Sequence, residues 1–328
     1  MQRSEDFLPF LAYPARPECS TSAQLQDWAD RHGLLTRNRM RRIFTTTFVG
    51  QFADLAYRWA DSDGRELADC WCLWTLLVDE LFEARVKAGT LGPRPGSGID
   101  PAADLALVTS APDEIDSALQ SALKDLTQRS CAGRPAAWCA GLTAHVADFV
   151  RSCHIEALYR LEGTAVSMEE FIAVRRGSFA TGMFLDLVET LTDSSLPAGE
   201  PFDELGAGIR ACAADLGGWC NDLISYRRER GVETQNNLVL RLAADADTGG
   251  GSREDEDGLA VAVERARTMV ADRAWELLEL KAELPLCLRA DGVPHPVAVR
   301  ALRWAHAVET LVSGSLSFQL ISARWSGA

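Results

Sequence analysis

The chain has 328 residues, 47% of them hydrophobic, with 47 acidic against 33 basic side chains and a formal net charge of −14. That balance disfavours nucleic acid and anionic membrane surfaces as partners, since both recruit basic patches, and the longest apolar run, Cys70 to Val78, is too short for a membrane span. Nine scattered cysteines without a CxxC fit neither a disulfide framework nor a zinc ribbon, and the charged start MQRSEDFLPF lacks a signal-peptide core, so the chain is expected to stay in the cytoplasm.

Apolar residues at three- and four-residue spacing predict helices over 22–60, 64–88, 103–127, 135–162, 168–193, 202–230, 256–283 and 296–324. Ser167-Met-Glu-Glu170 reads as a capping box at the start of one of them. Glycine and proline punctuate the chain at 91–101, 196–201, 247–258 and 290–296, and none of these loops is long enough to link independent halves. Runs of strict alternation are lacking and no internal repeat is present. The expected fold is therefore all-α: one domain, 1–328, of many helices around a central apolar space.

The segment Asn221-Asp-Leu-Ile-Ser225-Tyr-Arg-Arg228-Glu229 carries the strongest chemical signal. In a helix Asn221, Ser225 and Glu229 recur every four residues and share a face. Amide oxygen, hydroxyl and carboxylate are hard ligands of the kind magnesium takes, with water and phosphate completing its shell. Arg228 stands beside this row, able to meet a phosphate directly. Upstream, the apolar stretch around Trp71, Leu73 and Trp74 ends in Asp79-Glu80-Leu-Phe-Glu83. Asp79 and Glu83 face one way and Glu80 lies one step round, which places carboxylates at the rim of a greasy cavity. A solvated, charged helix end is the alternative account of that cluster.

Taken together these motifs resemble those of bacterial class I terpene synthases, over about Pro9 to Trp325. Asn221, Ser225, Arg228 and Glu229 match the family's second metal motif, and Asp79, Glu80 and Glu83 its aspartate-rich motif, 142 residues upstream. Arg175 lies 46 residues before Asn221, where the family carries a diphosphate-sensing arginine, and Arg324-Trp325 stands where it has an Arg-Tyr pair. The resemblance implies a class I terpenoid synthase bundle, with residues 1–20 as a lid. It implies three magnesium ions held by Asp79, Glu80, Glu83, Asn221, Ser225 and Glu229, with Asp79 as the firm ligand of the first motif. It also implies an isoprenoid diphosphate bound by Arg175, Arg228 and Arg324, and a homodimer as the assembly. Ser178 and Phe179 occupy the positions that transmit substrate binding, Phe179 being bulky where a small residue is common.

The implied reaction is ionisation of the diphosphate, followed by cyclisation of the allylic cation and deprotonation or water capture. Phe52, Trp219 and Phe318 are candidate cavity rings, since aromatic faces stabilise cations; Trp71, Trp74 and Trp304 read as core. Leu76 stands where similar enzymes often carry phenylalanine, which enlarges the pocket and favours a C20 over a C15 substrate. A chain-elongating prenyl transferase would carry a second aspartate-rich cluster in place of Asn221-Ser225-Glu229. A protonation-initiated cyclase would need a DxDD acid, and a non-catalytic isoprenoid carrier would have no use for two metal motifs.

Overall fold

The computed structural model of the chain describes residues 22–92, 114–163, 166–230, 236–246 and 256–322. Arg324, Trp325 and the 1–20 segment, all expected at the site, lie outside the described residues. Twelve α-helices are described: α1 (Ser22–Arg31), α2 (Asn38–Thr47), α3 (Phe52–Ala56), α4 (Ser62–Ala88), α5 (Glu114–Cys131), α6 (Ala136–Glu162), α7 (Met168–Ser178), α8 (Thr181–Thr192), α9 (Phe202–Glu229), α10 (Leu238–Ala246), α11 (Glu256–Ala290) and α12 (His295–Ile321). The described residues form no sheet, as expected of an all-α chain. No helix among them is long and apolar enough to cross a membrane.

Local chemistry sets the ends. Asp61 caps α4 by accepting from the Gly64 N–H at 2.8 Å, and Gly89, at φ 65°, closes it in the left-handed region. Ser167 accepts from the Glu170 N–H at 3.1 Å, the predicted half of the capping box. The Glu170 carboxylate is engaged elsewhere, by the Tyr159 hydroxyl at 2.5 Å. Two predicted helices are divided and a third runs on further. The 22–60 run breaks into α1, α2 and α3, with Gly33 at φ 71° and Phe48 at φ 53° in the turns. The 168–193 run breaks at Ala180, φ 59°, into α7 and α8. α11 runs on through Pro285 to Ala290. Periodicity missed α10, whose nine residues are too few to display it.

Trp71, Trp74 and Trp304 are buried core, as expected. The Trp71 indole donates to Ser130 Oγ and that of Trp74 to the Leu119 carbonyl, each at 3.0 Å, which fixes α5 against α4. α12 crosses α3 at Gly314, where a Cβ would sit 2.4 Å from the Leu55 carbonyl oxygen. Only glycine permits that backbone contact.

Candidate active site

A cavity of about 320 Å³ opens between α4, α6, α7, α8, α9 and α12. On α4 it is lined by Cys72, Thr75, Leu76, Asp79 and Glu83, one stripe at three- and four-residue steps. The opposing stripe on α9 is Ala213, Gly217, Asn221, Arg228 and Glu229. Apolar side chains give way to oxygen-bearing ones toward the same end of both stripes, so the two motifs face each other across the mouth of an oily space.

Glu80 lies off the α4 stripe. Its carboxylate pairs with the Arg39 guanidinium of α2, which also donates to Glu83 at 3.0 Å; Lys87 reaches Glu83 at 3.1 Å. Glu80, expected as a metal ligand, thus stands one step round the helix, about 100° from Asp79 and toward α2. The expectation of Trp219 as a cavity ring is corrected by the lining. It stands two residues before Asn221, about 200° round α9, and is buried outside the cavity lining beneath the Arg273 guanidinium, 5.9 Å from the ring centre. Leu76, Phe52, Phe179 and Phe318 do line the cavity. Two further rings that the sequence reading did not pick out join them, Phe149 and Phe184. Phe52 is the hub, 5.1 Å from Phe184 and 5.4 Å from Phe318, centre to centre. Tyr57 locks this floor by donating to the Phe184 carbonyl at 2.7 Å.

Arg175 is placed at the mouth by a pair of glycines. A Cβ on Gly217 would fall 2.6 Å from the Phe179 ring, so that ring must shift unless position 217 is glycine; one on Gly218 would sit 3.3 Å from Arg175 Cγ, a tight contact that the arginine would have to ease by a few tenths of an ångström. The bulk of Phe179 is accommodated by this gap. Arg175 Nη2 donates to Asn221 Oδ1 at 3.0 Å and to Asp222 Oδ1 at 2.6 Å; its Nη1 lies 3.7 Å from Glu156 Oε1. Burial opposes the guanidinium's charge, but the Asp222 and Glu156 carboxylates overcome this and hold its pKa above the ordinary value. Ser178 Oγ donates to Glu156 Oε1 at 2.5 Å. Burial pushes the Glu156 carboxyl up to about 7 against the opposing pull of Arg175, and Asp222 up to about 6 against the same cation. Glu156 lines the cavity and also escaped the sequence reading, because nothing in the helical pattern of 135–162 marks it.

Asn221 and Glu229 open onto the cavity, whereas Ser225 is fully buried just behind its lining and accepts from Asn237 Nδ2 at 3.3 Å. Arg228 Nη2 bonds Glu229 Oε1 at 3.1 Å. Among the described residues no three histidine, cysteine or acidic side chains converge on one point. The α9 set is instead mixed, one amide, one hydroxyl and one carboxylate oxygen on one face. That all-oxygen donor set, opposed by Asp79, fits a hard divalent cation.

A helical cavity with oxygen ligands and a guanidinium at its mouth and hydrocarbon within defines an enzyme that handles a molecule with an anionic head and an oily tail. Residues 70–274 match the family described as "Terpene synthase family 2, C-terminal metal binding", and the chain belongs to that family. It is similar to pristinol synthase of Streptomyces pristinaespiralis, 26% identical over 96% of this chain and 83% of that protein. It is also similar to a (+)-T-muurolol synthase of Roseiflexus castenholzii, "(2E,6E)-farnesyl diphosphate cyclizing", 27% identical over 72% of this chain and 73% of that protein. The fold matches the linalool/nerolidol synthase of Streptomyces clavuligerus, crystallised with 2-fluorogeranyl diphosphate, at a TM-score of 0.71 and 21% identity over 93% of this chain and 96% of that one. The chain is a terpene synthase, with a class I helical fold.

Proposed function

We propose that this chain ionises farnesyl diphosphate and cyclises the resulting C15 cation, with Asp79, Asn221, Ser225 and Glu229 holding three magnesium ions. This reverses the lean toward a C20 substrate. Leu76 and Thr75 do leave room on the α4 wall, but Phe52, Phe149, Phe179, Phe184 and Phe318 take it back from the other walls. A cavity of about 320 Å³ stands at the small end of ligand pockets, which span about 300–1,000 Å³. Two relatives whose names state a substrate, the (+)-T-muurolol synthase and a 4-epi-cubebol synthase of Streptosporangium roseum, are both described as "(2E,6E)-farnesyl diphosphate cyclizing".

The magnesium supplies Lewis-acid neutralisation of the diphosphate's charge. The chain's own groups do the rest. Arg175 and Arg228 donate charge-assisted hydrogen bonds to the diphosphate, and their placement at the mouth orients the hydrocarbon inward. The phenylalanine floor excludes water that would quench a cation. Its ring faces stabilise positive charge by about 2 kcal/mol each when desolvated. The observation that carries the reading is the segregation of one cavity into an oxygen- and guanidinium-lined mouth and a five-ring interior. The test is consumption of geranyl, farnesyl and geranylgeranyl diphosphates with magnesium and with EDTA, products being identified by gas chromatography and mass spectrometry. Farnesyl diphosphate should be consumed fastest and EDTA should stop the reaction; turnover of the C20 but not the C15 substrate would overturn the assignment.

A further inference from the structure

The start of α10 bridges both sides of the cavity mouth, and the reading above gives it no task. The chain has only four asparagines, Asn38, Asn221, Asn236 and Asn237, and the last two stand together here. Asn236 donates from Nδ2 to the Glu156 carbonyl of α6 at 2.9 Å. Asn237, completely buried, turns the other way. Its Oδ1 accepts from the Val239 and Leu240 N–H groups at 2.9 and 3.3 Å and so caps α10. Its Nδ2 faces three oxygens of α9: the Asp222 carbonyl at 3.0 Å, Ser225 Oγ at 3.3 Å and Glu229 Oε2 at 2.9 Å.

Capping needs only the oxygen, and serine or aspartate would serve as well. The amide nitrogen is what asparagine adds, and it is spent on two of the three metal-face side chains. Glu229 needs the help. It is the last residue of α9, at the negative end of the helix dipole, where a carboxylate is disfavoured and the last turn frays. A lysine or arginine in place of Asn237 would hold Glu229 more strongly but would compete with a cation for it. A neutral amide orients without competing, and it leaves lone pairs on both oxygens.

We propose that Asn237 is a positioning residue for the metal face, its side-chain amide holding Ser225 and Glu229 in ligating orientation and tying them to the N-terminus of α10. The inference rests on the metal reading of α9. Outer contacts of this kind are worth about 10- to 100-fold in metal affinity.

The test uses the full chain, with Mn²⁺ and inorganic pyrophosphate as the probe and free Mn²⁺ followed by electron paramagnetic resonance. Asn237→Ser keeps the cap but withdraws the amide; it should bind Mn²⁺ at least about tenfold more weakly while staying folded, with an unfolding midpoint above that of Asn237→Ala. Asn237→Ala should weaken Mn²⁺ equally and also lose stability. Wild-type affinity in the serine variant would show that Asn237 is a helix cap and nothing more. A second measurement needs no variant: in protein labelled with ¹⁵N-asparagine, the Asn237 side-chain amide signal should shift when Mg²⁺ and pyrophosphate are added, and a signal that stays put while Mn²⁺ binds would overturn the proposal. Glu229→Gln separates the two levels of inference. If it loses Mn²⁺ while Asn237→Ser does not, the metal reading stands and the role of Asn237 falls; if wild-type protein binds no Mn²⁺, both fall.

Discussion

Replacing Asp215 by asparagine is expected to lower the thermal midpoint by about 4 °C. The Asp215 carboxylate is completely buried on α9 between two arginines. Arg176 of α7 meets it through Nε at 2.6 Å and Nη2 at 2.8 Å, and Arg273 of α11 through Nε at 2.7 Å and Nη2 at 2.5 Å. One carboxylate thus joins three helices, one of which carries Arg175 in the adjacent position. Removing one partner of a buried ion pair costs about 3–5 kcal/mol. The arginine side chains are 38% and 21% exposed, so water relieves part of the uncompensated charge and the lower figure, about 3 kcal/mol, applies. At about 2.1 cal/mol/K per residue the unfolding entropy of a chain this long is roughly 0.7 kcal/mol/K, and 3 kcal/mol becomes about 4 °C. Circular dichroism at the helical band against temperature reads this directly. Arg176→Ala and Arg273→Ala should each cost less than the Asp215 change, since Asp215 keeps the other arginine. A double-mutant cycle should show coupling of Asp215 to both. A midpoint within a degree of wild type for Asp215→Asn would refute the account of these three helices as electrostatically joined.

The two acids that stand side by side on α4 should part company in activity: Asp79→Asn is expected to cut diphosphate release at least about a hundredfold, a Lewis-acid contact being worth several kcal/mol, while Glu80→Gln, bonded to Arg39 instead, should keep turnover within about tenfold. Two glycines should respond with opposite signs in thermal unfolding. Gly314→Ala drives a Cβ into the backbone of Leu55 and Ala56 and should exceed the 1–3 kcal/mol typical of overpacking, costing at least ~4 °C or the folded protein altogether; Gly141→Ala, in open space within α6, should gain about 1 kcal/mol from helix propensity. The hydrogen bond to Asp186, 2.6 Å long, outweighs burial and raises the pKa of His145 above 6.5. A raised folded-state pKa stabilises fully below the unfolded value and is lost as pH climbs through the folded one, so the midpoint difference between wild type and His145→Gln should be larger near about pH 5.5 than near about pH 9.

Much of the polar lining of the cavity was legible because its residues lie on two long helices, where sequence spacing converts directly into a shared face. Asn221 to Glu229 is two turns, and Asp79 sits seven residues beyond Cys72 on the same stripe. What lay outside that conversion was missed or misplaced. The partner of Glu80 is an arginine 41 residues away in sequence on another helix, a contact no local period contains. Trp219 could have been excluded, since its offset of two residues from Asn221 already turns it to another side of α9. Phe149, Phe184 and Glu156 reach the site from α6 and α8, whose apolar patterns serve core and cavity alike and so cannot tell the two apart. Asn237 did carry a signal, two asparagines directly before the apolar run Leu238-Val239-Leu240, a helix-start signature, but the helix it begins is short enough to escape notice.

The floor rings Phe52, Phe149, Phe184 and Phe318 belong to α3, α6, α8 and α12, while the cavity oxygens of Asp79, Glu83, Asn221 and Glu229 belong to α4 and α9. Under the proposed reaction, contour and ionisation are thus written on separate helices, apart from Leu76 and its neighbours on the inner part of α4. One floor ring can be exchanged for another without disturbing any of those oxygens, so under that reaction new product skeletons are reachable by single steps that keep ionisation intact. That independence is a physical basis for the spread of product names among relatives about one-quarter identical in sequence, and it marks the floor positions as the places where a changed product, rather than a dead enzyme, is the expected outcome of substitution.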